Sequence, residues 1–268
     1  MVSFPPCKIN LGLHVIEKRP DGYHNLETCF YPVPWTDILE IISSNAFSFT
    51  SSGAEIPGDA GKNLCVQAYD LLKKDFTIPP VRIHLHKVIP TGSGLGGGSS
   101  DGSHTLRLLN EMFELKLTPK QLSGYASQLG SDCAFFLQDE PQLAKGRGEI
   151  LDGVYISLKG KFLLIVKPDV HVSTAEAYAG IRPKRPDHAL MEVLDRLTLN
   201  EWKSFLKNDF EPTVFQKYPS IEAAKQKLYS LGAIYASMSG SGAAVFGIFE
   251  KPVVIPEEYK ANSWGGTI

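Results

Sequence analysis

Apolar residues alternate with polar ones from Ile9 onward. Ile9, Leu11, Leu13 and Val15 fall on one side of an extended chain, and Lys8, Asn10, Gly12 and His14 share the other. The same period of two returns at Val81–Val88, where Val81, Ile83 and Leu85 alternate with polar residues and predict a strand with one wet face. Between them, residues 36–49 carry Ile38, Leu39, Ile41, Ile42, Phe47 and Phe49 and predict one or two more strands; a polar, glycine-containing loop follows to Gly61. Helical spacing first shows at Leu64, Ala68, Leu71 and Leu72, with Asn63 as N-cap. It shows again at Leu106, Leu109, Met112 and Phe113, with Ser99 and Ser100 placed to cap. Thr118, Pro119 and Gln121 stand at N-cap, N1 and N3 of a further helix that stops at Gly130.

The pattern changes after about Tyr155. Phe162–Val166 reads as a buried strand ended by Lys167-Pro168, and helical segments follow at 173–179, 189–194, 200–206 and 221–231. Residues 233–238 and 243–249 read as strands around a glycine turn, Ser239-Gly240-Ser241-Gly242. This order predicts an α+β protein with a boundary near Gly153 and a split βαβ layer after it. The tail after Phe249 shows no period.

Composition narrows the partners. A net charge of -2 gives no reason to expect nucleic acid or an acidic membrane. Cys7, Cys29, Cys65 and Cys133 form no CxxC pair and read as reduced thiols of a cytoplasmic protein. Zinc is not expected, since His84 and His86 at i, i+2 on a wet strand face make a poor ligand set. No secretory signal opens the chain, and the run Phe162–Val166 is too short to span a bilayer.

Candidate chemistry centres on P-T-G-S-G-L-G-G-G-S-S-D, residues 90–101. Five glycines (Gly92, Gly94, Gly96, Gly97 and Gly98) make sense where backbone must approach a ligand closely or adopt positive φ repeatedly. Strand, glycine loop and helix N-terminus together form a phosphate cradle. Gly92-x-Gly94-x-x-Gly97 matches the dinucleotide fingerprint, but the preceding strand alternates where that fold wants it fully buried. No lysine precedes Ser99, which excludes a Walker A loop, and a helix follows where a protein kinase has a hairpin.

Other candidates keep two readings each. Lys8 and Asn10 on one strand face suit an anionic or polyhydroxylated ligand, or mark an edge strand protected by a lysine. Pro20-Asp21-Gly22 is a turn that delivers Tyr23 and His24 together, either to a planar ligand or simply to the end of a hairpin. Asp132, in G-S-D-C-A-F-F, is a catalytic carboxylate or an N-cap. Ala144-Lys145-Gly146-Arg147-Gly148-Glu149 is a basic glycine turn suited to a hairpin or to neutralising phosphate.

Taken in order, C-K-I-N-L-G-L-H-V-I-E-K-R-P-D-G-Y-H-N-L (7–26), G-L-G-G-G-S-S-D (94–101), G-S-D-C-A-F-F (130–136), A-K-G-R-G-E (144–149) and M-S-G-S-G-A (238–243) resemble the GHMP kinases. The first stretch is most similar to the branch whose acceptor is a sugar alcohol linked to cytidine diphosphate, on the non-mevalonate isoprenoid route. The resemblance implies the two-domain α+β GHMP kinase fold, with an N-terminal mixed-sheet nucleotide domain over 1–153 and a C-terminal split βαβ, ferredoxin-like domain over 154–268. It also implies transfer of phosphate from ATP to an alcohol, with Mg²⁺. It implies that Gly92, Gly94, Leu95, Gly96, Gly97, Gly98, Ser99 and Ser100 hold the ATP phosphates, with Ser100 toward the metal and Asn63 near the adenine. Asp132 would be the acid/base, with Lys8 as partner favouring its charged form. Asn10 would meet the acceptor's hydroxyls, His24 and Tyr23 its cytosine, and Tyr178 would be the facing aromatic. The implied partner is this small molecule, with no nucleic acid or membrane, for a monomer or weak homodimer. A mevalonate or homoserine kinase type and a nucleotide-binding module without turnover stand as alternatives.

Overall fold

The computed structural model describes residues 1–138 and 140–268. Its strands are β1 (Val2–Ser3), β2 (Pro6–Lys18), β3 (His24–Thr36), β4 (Ile38–Ser43), β5 (Ser48–Gly53), β6 (Val81–Lys87), β7 (Gln142–Gly146), β8 (Ile150–Gly153), β9 (Phe162–Val166), β10 (Tyr235–Met238), β11 (Val245–Phe249) and β12 (Ser263–Thr267). Its α-helices are α1 (Leu64–Asp75), α2 (Gly97–Met112), α3 (Pro119–Leu129), α4 (Thr174–Ala179), α5 (Leu190–Arg196), α6 (Leu199–Phe205), α7 (Glu211–Lys217) and α8 (Pro219–Ser230).

The strands form three four-stranded sheets. One is mixed, ordered β1-β4-β6-β5, with β5 parallel to β6 and the other neighbours antiparallel. The second is ordered β2-β3-β7-β8, and its first hairpin turns at Pro20-Asp21-Gly22, where Arg19 N–H donates to Tyr23 O at 2.8 Å. In the third, ordered β10-β11-β9-β12, every neighbouring pair is antiparallel. Counted from β9, that order is second, third, first, fourth, the split βαβ arrangement the sequence predicts. The tail that carried no period supplies the last strand, preceded by a 3-10 helix over Glu257–Asn262.

The chain divides into two compact units. One comprises Met1–Lys8, Pro32–Thr91 and Gly96–Asp139; the other comprises Ile9–Tyr31, Gly92–Leu95 and Glu140–Ile268. The position near Gly153 lies at the end of β8, within the second. In the first, α1, α2 and α3 pack together beside the mixed sheet. In the second, Leu164, Val166, Val245, Ile221, Ala224 and Leu228 share one apolar core.

The local signals act as their chemistry requires. Asn63 caps α1 by accepting from Cys65 N at 2.9 Å, and Thr118 and Gln121 form a reciprocal capping box on α3. Two expectations are corrected. Ser99 and Ser100 do not cap α2: the N-cap is Gly96 at φ 72, with no side-chain cap bond, and both serines lie in the first turn. The first amides of α2 therefore emerge with no side chain over them. β2 is an edge strand of its sheet, but Lys8 does not guard that edge from solvent: Ile9, Leu11 and Val15 are fully buried, and Lys8 and Asn10 are 3% and 2% exposed. A short helix, α7, also stands where no periodicity marked one.

Candidate active site

In the first unit, Lys8 and Asp132 come together, with Nζ 3.6 Å from Oδ2. Asp132 holds the N-cap position of the 3-10 helix Cys133–Leu137, yet its side chain makes no cap hydrogen bond. Its carboxylate, one-third exposed, faces the buried ammonium instead. Burial pushes Lys8 below its ordinary value, with Asp132 pulling the other way. Ser103 Oγ donates to Cys133 O at 2.6 Å, which ties α2 to the segment that carries Asp132.

The glycines of the loop divide by role. A Cβ on Gly96 would stand 2.8 Å from Phe136 and 3.2 Å from Lys8 Cε, and one on Gly97 would stand 3.0 Å from Lys87 Nζ. A Cβ on Gly98 would meet nothing within 4 Å, so the helix start opens there onto free space. Beside it the Ser100 hydroxyl is fully buried and has no hydrogen-bond partner among the described residues. That orphaned oxygen and the uncovered amides fit a phosphate–Mg²⁺ group. Behind the helix start, Lys87 is clasped by Asp37 and by Asp101, the latter at 2.8 Å, all three nearly inaccessible to solvent. Neither this cluster nor its bearing on the loop was foreseen. Asn63 is half-buried at the start of α1, its side-chain oxygen committed to the cap.

In the second unit, the loop's leading residues meet the second glycine turn. Ser239 Oγ lies 3.0 Å from Gly94 O and 3.3 Å from Asn10 Oδ1, and Ala244 N–H donates to Ser93 O at 3.0 Å. Gly94 has φ 79, and a Cβ there would stand 2.1 Å from Ser239 O, so only glycine fits. Leu95 is fully buried and anchors the loop. Asn10 Nδ2 donates to Thr28 Oγ1 at 2.9 Å, which fixes its amide. Asn208, missed in the sequence, is buried and donates to Met238 O and Gly240 O at 2.8 Å, stapling the turn. Its only sequence signal was an Asn beside Asp209 and Phe210.

The aromatic candidates also gather. His24 stacks on Tyr178 with centroids 4.8 Å apart and planes at 21°, and Phe210 meets Tyr178 edge-on. Burial and Lys18 lower the His24 pKa, which keeps a neutral imidazole with one donor and one acceptor. Tyr23 is 56% exposed, and Asp21 fixes its backbone by accepting its N–H at 3.1 Å. His84 and His86 bond to the hydroxyls of Thr50 and Ser52 on β5. Among the described residues no group of three or more His, Cys, Asp or Glu is placed to hold a metal.

An uncapped glycine-rich helix start and a lysine–aspartate pair on one α+β scaffold define a small-molecule phosphotransferase. The family models for the GHMP kinases N terminal domain and the GHMP kinases C terminal domain match residues 63–140 and 188–262. The chain belongs to the GHMP kinase family. A 4-diphosphocytidyl-2-C-methyl-D-erythritol kinase of Bacteroides fragilis is 53% identical over 262 residues, covering 96% of this chain and 93% of its relative. The enzyme of that name from Bacteroides thetaiotaomicron is 52% identical over 272 residues, covering 100% and 97%. A crystal structure of 4-(cytidine 5'-diphospho)-2C-methyl-D-erythritol kinase superposes with a TM-score of 0.82 at 30% identity, covering 100% of this chain and 98% of the other.

Proposed function

We propose that this chain phosphorylates the 2-hydroxyl of 4-diphosphocytidyl-2-C-methyl-D-erythritol with ATP. Within the molecule, the observation that carries the reading is the pairing of buried Lys8 with Asp132, whose carboxylate is left free of the cap it could have made. Gly92–Ser100 grip the triphosphate through backbone amides and the α2 dipole, and Asn63 lies toward the adenine. Ser100 would hold Mg²⁺ together with the phosphates; the ion supplies neutralisation of phosphate charge. Asn10 orients the erythritol hydroxyls. His24 reads the cytosine edge while Tyr23 and Tyr178 pack on its faces.

Asp132 takes the proton from the acceptor hydroxyl as the oxygen bonds to the γ-phosphorus. The bond from that phosphorus to the β–γ bridging oxygen breaks, ADP departs, and the proton passes from Asp132 to solvent. Lys8 holds the carboxylate and the nucleophilic oxygen in line. The nucleotide role belongs to domain 1–153, and 154–268 supplies Tyr178 and the Ser239 turn. No described helix is long and apolar enough to cross a membrane, and the four free, buried cysteines suit a reducing cytoplasm.

Release of ADP from ATP and Mg²⁺ over a panel of acceptors tests this. Turnover is expected with the cytidyl acceptor and not with mevalonate or homoserine. Equal rates on all three, or ATP binding without turnover, would defeat it.

A further inference from the structure

The basic turn between β7 and β8 holds two cations, and the structure gives them different surroundings. Lys145 lies opposite Ile150 in the hairpin, with Nζ 3.8 Å from Asp152 Oδ2 and both side chains about half exposed or more. Such a surface pair contributes little. Arg147, at the tip, places its guanidinium carbon 5.0 Å from the centroid of the Tyr23 ring.

The turn is shaped to keep it there. Gly146 and Gly148 have φ 69 and 113, and a Cβ on Gly146 would stand 2.9 Å from Glu149 Oε2. That carboxylate accepts Arg147 N–H at 2.5 Å, and its other oxygen lies 3.5 Å from Arg147 Nε. On the facing side, Asp21 holds Tyr23 by its backbone and pairs with Arg19 at 2.9 Å. Two independently braced turns thus bring a planar cation against an aromatic face.

We propose that Arg147 is a specificity-determining residue for the cytidine diphosphate handle of the acceptor. The guanidinium holds the Tyr23 ring as a platform for the base by cation–π contact. Its remaining N–H groups meet the handle's diphosphate, which one ribose separates from that base, in the fork geometry that suits phosphate oxygens. The inference rests on the function proposed above.

Steady-state kinetics of the full chain and of R147Q and R147K test it, with the cytidyl acceptor and with methylerythritol phosphate lacking the cytidyl group. R147Q should raise KM for the cytidyl acceptor about tenfold, the scale of one charge-assisted hydrogen bond, with kcat and KM for ATP unchanged. R147K keeps the charge without the planar fork and should raise it about threefold. On the truncated acceptor the variants should match the parent. An unchanged KM in R147Q, or a shift of ATP KM and kcat in step, would overturn the proposal. Calorimetric binding of cytidine 5'-diphosphate, with ADP saturating the glycine loop, separates its failure from that of the proposed function. Weaker binding by R147Q supports the role of Arg147 even if no phosphate is transferred; equal binding, or none by the parent, removes it.

Discussion

Replacing Lys87 with methionine should be among the most damaging single changes away from the transferring groups. The ammonium sits between Asp37 and Asp101, and the three side chains are at most 3% exposed. Asp37 also accepts from Val88 N and Ile89 N at 2.6 and 2.8 Å, so the cluster ties the β3–β4 corner, the end of β6 and the second turn of α2. Burial lowers Lys87, but the two carboxylates outweigh it and raise it overall. Burial pushes Asp101 up to about 7, with Lys87 opposing and Asp37 assisting. Methionine fills the same volume and leaves two buried carboxylates uncompensated, which costs about 3–5 kcal/mol. At about 2.1 cal/mol/K per residue, the unfolding entropy of 268 residues is about 0.56 kcal/mol/K, so Tm should fall by about 5–9 °C at pH 8. Without the ammonium, Asp101 loses the opposing pull of Lys87, so its folded pKa, already raised by burial, stands further above its unfolded one. The loss is then full above that folded value and is relieved as pH falls through it. Thermal melts followed by circular dichroism at pH 8 and pH 5.5 check both claims. A drop below about 1 °C, or a larger loss at pH 5.5, would refute the reasoning.

Other perturbations have equally definite outcomes. Gly94→Ala drives a Cβ to 2.1 Å from Ser239 O at positive φ, so ATP affinity measured by titration should fall at least about tenfold. Lys8, lowered by burial against the pull of Asp132, should give kcat/KM an alkaline limb below the ordinary lysine value of about 10.4; K8M should lose that limb with most of the turnover. Glu176 is pulled down to about 2 by hydrogen bonds from Lys217 and from Ser173. Its contribution is present above the ordinary value near 4.5 and fades as pH falls toward 2, so melting curves of the parent and E176Q should converge on acidification.

Much of this fold was legible because its signals are local. The Thr118–Gln121 capping box, the Asn63 cap and the Pro20-Asp21-Gly22 turn act within a few residues and need no tertiary context. The alternation in β2 showed which side chains share a face, though not that both faces are buried. What escaped depends on distant partners. Asp37, Lys87 and Asp101 share no sequence spacing that marks them as partners until the fold closes them together. Strand β12 was hidden by Gly265 and Gly266, which interrupt alternation; a Cβ on Gly265 would stand 2.9 Å from Phe162, so the aromatic neighbour demands the gap. Helix α7 starts from Phe210 with no side-chain cap and runs for 7 residues, too few for a period to stand out. The serines of the glycine loop promised a cap, but the left-handed Gly96 brings the chain into α2 one turn earlier. The site residues gathered in groups that sequence spacing could not foretell: Lys8 with Asp132, Asn10 with Ser239, and His24 with Tyr178.

Transfer in this site turns on one proton leaving the acceptor hydroxyl for Asp132. Asp132→Asn keeps the shape and removes the basic oxygen, so single-turnover transfer from ATP to the cytidyl acceptor should slow roughly 10²–10⁴-fold, with both substrates still bound and melting unchanged. A rate within about threefold of the parent would contradict it.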